Sequence, residues 1–329
     1  MKPSVLHIRI DSAPGYNSDA IEKAWKEHGY DYFGFKWQEY RFNHGIDALR
    51  KQVVKLAEEI KPTLIFAHIQ NGEVLDLEIW RALSNISYTI NYTFDVRDEG
   101  RMNWMYDIAP IIGHTFFADL THVYECNHIL NIFNVSHCHS SCDMELFKNN
   151  SRGLYAFDIV FCGNNYVGTN LNFPLAKERQ QMIDFLFENY GGSFMAYGLG
   201  QKGGLIPPEA EANVYNLSKI AISQNNFDLP GYTSDRLWRI MSCGTFCLAK
   251  HYDGVDEDFG DSLVTWKTLD DLKSKIDRYL INSGHERDLM AQRGSEYVRN
   301  NHRWTDRIKQ IIDTVYGSIE KSYHQSLTR

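Results

Sequence analysis

In the stretch SDRLWRIMSCG, Ser234 to Gly244, two arginines stand three residues apart behind a serine and an aspartate. Ser234, or Thr233 before it, can cap a helix by accepting a bond from a first-turn amide, and Asp235 suits the positive end of the helix dipole. Leu237, Ile240 and Met241 recur at helical spacing as a buried face, and Gly244 supplies the stop. Arg236 and Arg239 fall on the opposite side. A helix N-terminus with unpaired N–H groups and a guanidinium receives a phosphate or diphosphate, because the planar fork matches two oxygens at once. The alternative is a pair of solvated surface arginines.

Other groups could complete such an anion site. The run FCGNNYVGTN places Gly163 and Asn164 directly after a strand, where glycine lets backbone approach a ligand. Arg179, in the helix that follows, and Lys219, opening a later strand, add cations, although each is equally an ordinary exposed side chain. Neither G-x-G-x-x-G nor G-x-x-x-x-G-K-[ST] is present, so the pattern is neither a dinucleotide fingerprint nor a P-loop.

In the first half, IRIDSAPGYN ends a strand with Asp11 and Gly15, AHIQNGE ends one with His68, Gln70 and Asn71, and TFDVRDEGR ends one with Asp95, Arg97 and Asp98. Three polar strand ends on one edge line a pocket rich in hydrogen-bonding groups. Asp95 is the candidate general base, since a carboxylate against apolar walls has its pKa raised toward working pH; a turn-forming aspartate is the alternative. His114 and His122 sit in apolar runs and read as core histidines. His137, Cys138, His139 and Cys142 of SHCHSSCD offer soft metal ligands, and VDEDFGD (255–261) has spacing suited to a divalent cation. The first lacks a second ligand pair at finger-like spacing and reads as a loop between two domains, an acidic surface loop accounts for the second equally well, and no bound metal or other cofactor is expected. No G-x-S-x-G elbow or H-E-x-x-H is present, which leaves hydrolase and metalloprotease readings without support.

Strand-like and helix-like runs alternate. The first half reads as strands over 5–10, 30–37, 63–69, 87–95, 114–120 and 122–126, with helices near 18–28, 44–60, 74–84 and 103–111. The second half restarts with a strand over 156–163, a helix over 175–189, strands at 194–198, 219–224 and 245–250, and helices near 268–281, 285–300 and after Trp304. Thr305 reads as the N-cap of that last helix, and Ile308, Ile311, Ile312, Val315 and Ile319 give it one apolar stripe. This alternation predicts an α/β chain of two doubly wound, Rossmann-like domains, 1–150 and 151–305, with a cleft between them and a closing helix over 306–329.

Length and composition fit two ordinary domains: 329 residues, 43% hydrophobic, net charge −8. Residues 1–150 carry 14 basic against 20 acidic side chains, and the remainder 20 against 22. That balance disfavours a nucleic-acid partner, which needs a positive footprint. No leader-like or membrane-spanning run is visible and six cysteines suit reduced core thiols, so the expected compartment is the cytoplasm.

Taken in order, FCGN, PLAKERQQMIDFL, the AYG strand end, VYNLSKIAIS, YTSDRLWRIMSCGTFCLAK, VTWKTLDDLKSKIDRYL and GSEYVRNNHRWTDRI resemble the donor-binding domain of GT-B-fold glycosyltransferases, nearest the CgeB-type, spore-maturation-like subgroup. The likeness spans roughly 155–310; in the first half it is carried by Asp95-Val96-Arg97 and CDMELF. It implies an enzyme that moves a sugar from a nucleoside diphosphate sugar, a UDP-sugar by preference, to a hydroxyl acceptor without a bound metal. Helix-end amides and cations then stabilise the leaving diphosphate. It gives Gly163, Asn164, Arg179, Lys219, Ser234, Asp235, Arg236 and Arg239 to the donor, with Arg236 also catalytic beside Asp95. Asp11, Gly15, His68, Gln70 and Arg97 go to the acceptor, and the helix after Trp304 crosses back to the first domain. Many retaining relatives carry a glutamate where Arg239 stands, with an acidic partner eight positions earlier where this chain has Gly231. The expected acceptor is a glycan, glycoconjugate or surface polymer; hydroxymethylated bases of phage DNA are an alternative, and a non-catalytic binding module of the same fold is another.

Overall fold

The computed structural model describes residues 2–10, 18–93, 99–150, 153–169 and 173–327. Two compact units divide the chain, Met1–Ser140 with Trp304–Arg329, and Ser141–Arg303.

In the first unit, strands β1 (Ser4–Arg9), β2 (Asp31–Lys36), β3 (Leu64–Ala67), β4 (Tyr88–Thr93), β5 (His114–Phe117) and β6 (Val135–His137) form one sheet in the order β2-β1-β3-β4-β5-β6. Every recorded pairing is parallel. Such a sheet is covered on both faces, which is why LIFA of β3 and HTFF of β5 are buried at every position. The chain leaves β1 for β2 on one side and returns to β3 on the other. Ile10 and His68 therefore mark the point where the strand order reverses.

Two local expectations give way. Residues 122–126, expected as a strand, belong to helix α6 (Leu120–His128). Asp119 caps it, accepting from the His122 amide at 3.0 Å, and Val123 and Cys126 meet the core at helical spacing. The strand expected over 30–37 stops at Lys36, because Trp37 opens helix α2 (Trp37–His44) and is buried with its indole N–H donating to the His68 carbonyl at 3.1 Å.

Helix α13 (Trp304–Leu327) lies in this unit, against α1 (Ser18–Glu27). Ile308, Ile311 and Val315 are fully buried, as the apolar spacing requires. The Tyr30 and Tyr316 hydroxyls meet at 3.0 Å and the His28 ring meets the Thr305 carbonyl at 2.8 Å. Thr305 is not the N-cap: the helix begins one residue earlier, and the Thr305 hydroxyl donates to the Glu27 carboxylate.

The second unit holds β7 (Phe157–Cys162), β8 (Phe194–Tyr197), β9 (Ser218–Ser223), β10 (Phe246–Lys250) and β11 (Val264–Trp266), ordered β11-β10-β9-β7-β8 and parallel throughout. Helices α7 (Ala176–Tyr190), α8 (Pro208–Asn216), α9 (Asp235–Ser242), α10 (Val255–Phe259), α11 (Leu269–Asp277) and α12 (Gly284–Asn301) accompany it. Cores fill both faces. Residues 141–150, expected in the first domain, pack here, with Cys142, Met144 and Phe147 buried. The acidic VDEDFGD run is a short helix and turn, not a loop, because Val255 and Phe259 anchor it one turn apart at 1% and 2% exposure. Strand β7 lies between β8 and β9, so the order reverses at the carboxyl ends of β7 and β9.

Candidate functional site

Open α/β sheets bind ligands beyond the carboxyl ends of their strands, at the point where strand order reverses. In the second unit two arginines from different helices converge there. Arg236, in the first turn of α9, donates through Nε to the carbonyl of Cys162, the last residue of β7, and through Nη1 to the Gln224 carbonyl just past β9, at 2.9 Å. Arg179 of α7 reaches the same Gln224 carbonyl through Nη2 at 2.7 Å and the Asn164 carbonyl through Nη1 at 3.4 Å. Their exposures are 8% for Arg236 and 2% for Arg179. Both guanidiniums lie over the Phe161 ring, at 4.9 and 5.5 Å from its centroid. Among the described residues neither forms an ion pair with a carboxylate. Burial, reinforced by the nearby Arg236 charge, pulls the Arg179 pKa down to about 9. Two desolvated cations that share carbonyl dipoles, with no carboxylate paired to them among the described residues, have the chemistry to receive an anion.

Gly163 makes room for that arrangement. A Cβ at this position would lie 2.5 Å from Arg236 Nη2 and 3.0 Å from the Phe161 ring. Opposite it, Gly198 holds φ of +137° with its Cα against the Gly163 carbonyl, where a Cβ would collide with backbone. Asn164 ties the loops after β7 and β8 together: Oδ1 accepts from the Leu199 amide at 2.9 Å and Nδ2 donates to the Tyr166 hydroxyl at 3.3 Å. Ser234 caps α9, accepting from the Arg236 amide at 3.4 Å, while its own amide donates to Asn225 Oδ1 at 3.1 Å.

Gly163, Asn164, Arg179, Ser234, Asp235 and Arg236 thus meet at one edge, and Lys219 does not. It is the second residue of β9, at the amino end of the sheet, and pairs with Asp158 at 2.6 Å. Arg239 is no solvated surface group: its side chain is 11% exposed and is held by Glu211 of α8 at 3.0 Å and Asp235 at 2.6 Å. Phe161 and Gln224 complete the site, and sequence reasoning misses both. An aromatic residue in a buried strand reads as core, and a backbone carbonyl leaves no mark on residue type.

In the first unit, His68 and Gln70 follow β3 where the strand order reverses. His68 is 2% exposed, and burial takes its pKa down to about 3. Its ring stacks on His7 at 6.4 Å and meets Tyr92 at 5.5 Å. Burial, then the neighbouring His68 and Arg9, lowers His7 well below the usual histidine range. Asp11, Gly15, Asp95, Arg97 and Asp98 lie outside the described residues. His114 is a core histidine, bonded to Ser136 Oγ at 3.0 Å, and burial takes its pKa down to about 4. His122 pairs with the buried Asp119 at 2.7 Å. Cys138 and Cys142 are buried thiols whose pKa burial pushes up, to about 12 for Cys138. Among the described residues no cluster of three or more His, Cys, Asp or Glu side chains could hold a metal ion. Nor is any described helix long and apolar enough to cross a membrane.

Residues 178–313 match the family described as glycosyl transferase-like. Anabaena HepE, solved in complex with UDP-glucose, superposes with a TM-score of 0.67 at 14% identity over 95% of this chain and 99% of its own. An α,α-trehalose 6-phosphate synthase from Burkholderia multivorans gives 0.65 at 9% identity over 98% of this chain and 100% of its own. A Rickettsia africae glycosyltransferase gives 0.64 at 9% identity over 97% and 99%. No curated protein matches the chain by sequence. The fold is the GT-B fold. The family match over 178–313 is to a glycosyl transferase-like model.

Proposed function

We propose that the chain transfers a sugar from a nucleoside diphosphate sugar to a hydroxyl acceptor, with the donor diphosphate bound in the second unit. The observation that carries this reading is the Arg179–Arg236 pair, two buried guanidiniums at the strand-order reversal with no carboxylate to balance them among the described residues. Breaking the bond to the sugar leaves a second negative charge on the terminal phosphate of the diphosphate. Arg236 and the capped end of α9 stabilise that charge as it develops, which is the part of the barrier the protein lowers. Gly163 leaves the room that Arg236 Nη2 fills beside the Phe161 ring. UDP is the favoured nucleotide, supported by the UDP-glucose and UDP complexes of HepE. The charge stabilisation needs no metal in this scheme.

Acceptor binding falls to the first unit, at the β1 and β3 ends, with His68 a neutral wall and Gln70 a hydrogen-bonding group. Asp95 is proposed as the base that takes the acceptor proton. The acceptor is a glycan, glycoconjugate or surface polymer, in line with the CgeB-like order of motifs; the acidic first half disfavours DNA.

Thermal unfolding with UDP-, GDP-, dTDP- and CMP-sugars tests the donor site, because a ligand of the native state raises the midpoint by mass action. At least one nucleotide sugar should raise it, with UDP-glucose tried first, and Arg236→Ala should abolish the rise. A panel in which no midpoint moves would remove the donor reading.

A further inference from the structure

Arg239 stands where a donor contact is expected, yet its guanidinium is already engaged. Nη1 donates to both oxygens of Glu211, at 3.0 and 3.3 Å, and Nη2 donates to Asp235 Oδ2 at 2.6 Å. The Phe147 ring lies 5.3 Å from its Cζ. Side-chain exposures of Arg239, Glu211 and Asp235 are 11, 13 and 18%, so this is a largely desolvated triad and not a surface pair. Tyr215 secures Glu211 from behind, donating to Oε1 at 2.9 Å.

The two carboxylates come from different places. Asp235 precedes Arg236 in the first turn of α9, and Glu211 belongs to α8, which follows the β8 loop that packs on Gly163. Arg236, whose Nε donates to the Cys162 carbonyl, stands between Asp235 and Arg239 on the same helix α9. The triad therefore borders the turn that carries Arg236.

We propose that Arg239 is a positioning residue: by clamping Glu211 of α8 to Asp235 of α9, it fixes the first turn of α9 and so aims Arg236 at the bound diphosphate. This inference rests on the donor-site reading above. A planar fork held by two carboxylates sets orientation as well as distance, which a lysine reproduces only in part. Without Arg239, the largely buried Glu211 and Asp235 carboxylates lose the cation they share, and the helix end they border shifts toward water.

Calorimetric titration of the full chain with UDP, and with pyrophosphate as a second probe, tests it on Arg239→Met, Arg239→Lys, Glu211→Gln and Arg236→Ala. Arg239→Met should raise Kd for UDP about tenfold, Arg239→Lys should recover part of that loss, and Glu211→Gln should fall between. In the Arg236→Ala background, Arg239→Met should add nothing, because the group it aims is gone. Circular dichroism and thermal midpoints confirm folding; if Arg239→Met fails to fold, Arg239→Lys and Glu211→Gln carry the comparison. An unchanged Kd in folded variants, or full additivity with Arg236→Ala, overturns the positioning role. Failure of the wild-type chain to bind either probe sinks the donor reading and this inference with it, whereas wild-type binding indifferent to Arg239 sinks this inference alone.

Discussion

Arg179 and Arg236 donate to one carbonyl oxygen, that of Gln224, from two different helices, at 2.7 and 2.9 Å. Like charges share a buried acceptor only where the frame around them is rigid. Here β7, β9, α7 and α9 hold them, and Phe161 lies beneath both. An arrangement of this kind destabilises the free protein slightly and would be relieved by the diphosphate proposed to bind there, which would link the packing of the second unit to that ligand.

Gly163→Ala tests how tightly that frame is drawn. The added Cβ would lie 2.5 Å from Arg236 Nη2, so the guanidinium must move away from its two carbonyl acceptors. Overpacking of this kind costs about 1–3 kcal/mol in stability. UDP affinity should fall at least tenfold, more than the loss of stability alone explains, since the variant remains folded. Titration calorimetry on the folded variant checks it, and an unaltered Kd would show that Arg236 does not touch the ligand.

The buried histidines of the first unit make stability depend on acid. Burial holds His114 down at about 4 and His68 at about 3, both below the ordinary 6.5 of the unfolded chain. Below pH 6.5 the unfolded state therefore binds more protons, and stability is lost as pH falls from 6.5 toward these folded values. For His114 alone the loss by pH 4 is about 3 kcal/mol, at roughly 1.4 kcal/mol for every factor of ten between its proton affinities in the folded and unfolded chain. Urea unfolding between pH 7 and 4.5 should show a steep decline, and His114→Asn should make it shallower. Equal slopes for the two proteins would show that His114 does not drive the acid loss.

Ile311→Ala probes the closing helix. Ile311 is fully buried on α13, between Ile308 and Val315, so its truncation removes apolar contact and leaves a cavity, together worth about 2–5 kcal/mol. The urea midpoint of the first unit should fall accordingly, while Lys309→Ala, on an exposed ion pair with Asp313, should change stability by less than about 1 kcal/mol.

Much of this is legible in the residues. Alternation of buried strands such as LIFA and HTFF with amphipathic helices gives the α/β class, and Ser234, Arg236 and Gly163 point to the proposed anion site because capping, fork geometry and close backbone approach each demand particular residue types. What stays hidden depends on partners distant in sequence. Lys219 and Arg179 look alike as cations on a chain, but parallel register puts one at the amino end beside Asp158 and the other at the carboxyl end on Gln224. The HVYEC run misleads because Val123 and Cys126 satisfy a strand-like composition as well as a helical spacing, and Asp119, which caps the helix, lies outside the run. Arg239 likewise declares a charge but not its owners: Glu211 is 28 residues away.

The same arginine pair predicts how the protein responds to divalent ions. Two guanidiniums and the capped end of α9 offer positive charge where the diphosphate is proposed to bind, so the charge that a magnesium ion would bring is already in place. Treatment with excess chelator should leave UDP affinity and sugar release from UDP-glucose within about twofold of the untreated protein, an effect below the roughly tenfold that a lost charge contact brings. Arg179→Ala should then make the chain depend on added magnesium more than the wild type does, because one of the two buried cations is missing. Product release followed by mass spectrometry, with and without magnesium, separates the cases: strict dependence in the wild-type chain would reassign the charge-stabilising role to a metal, and indifference in both proteins would leave Arg236 to supply it alone.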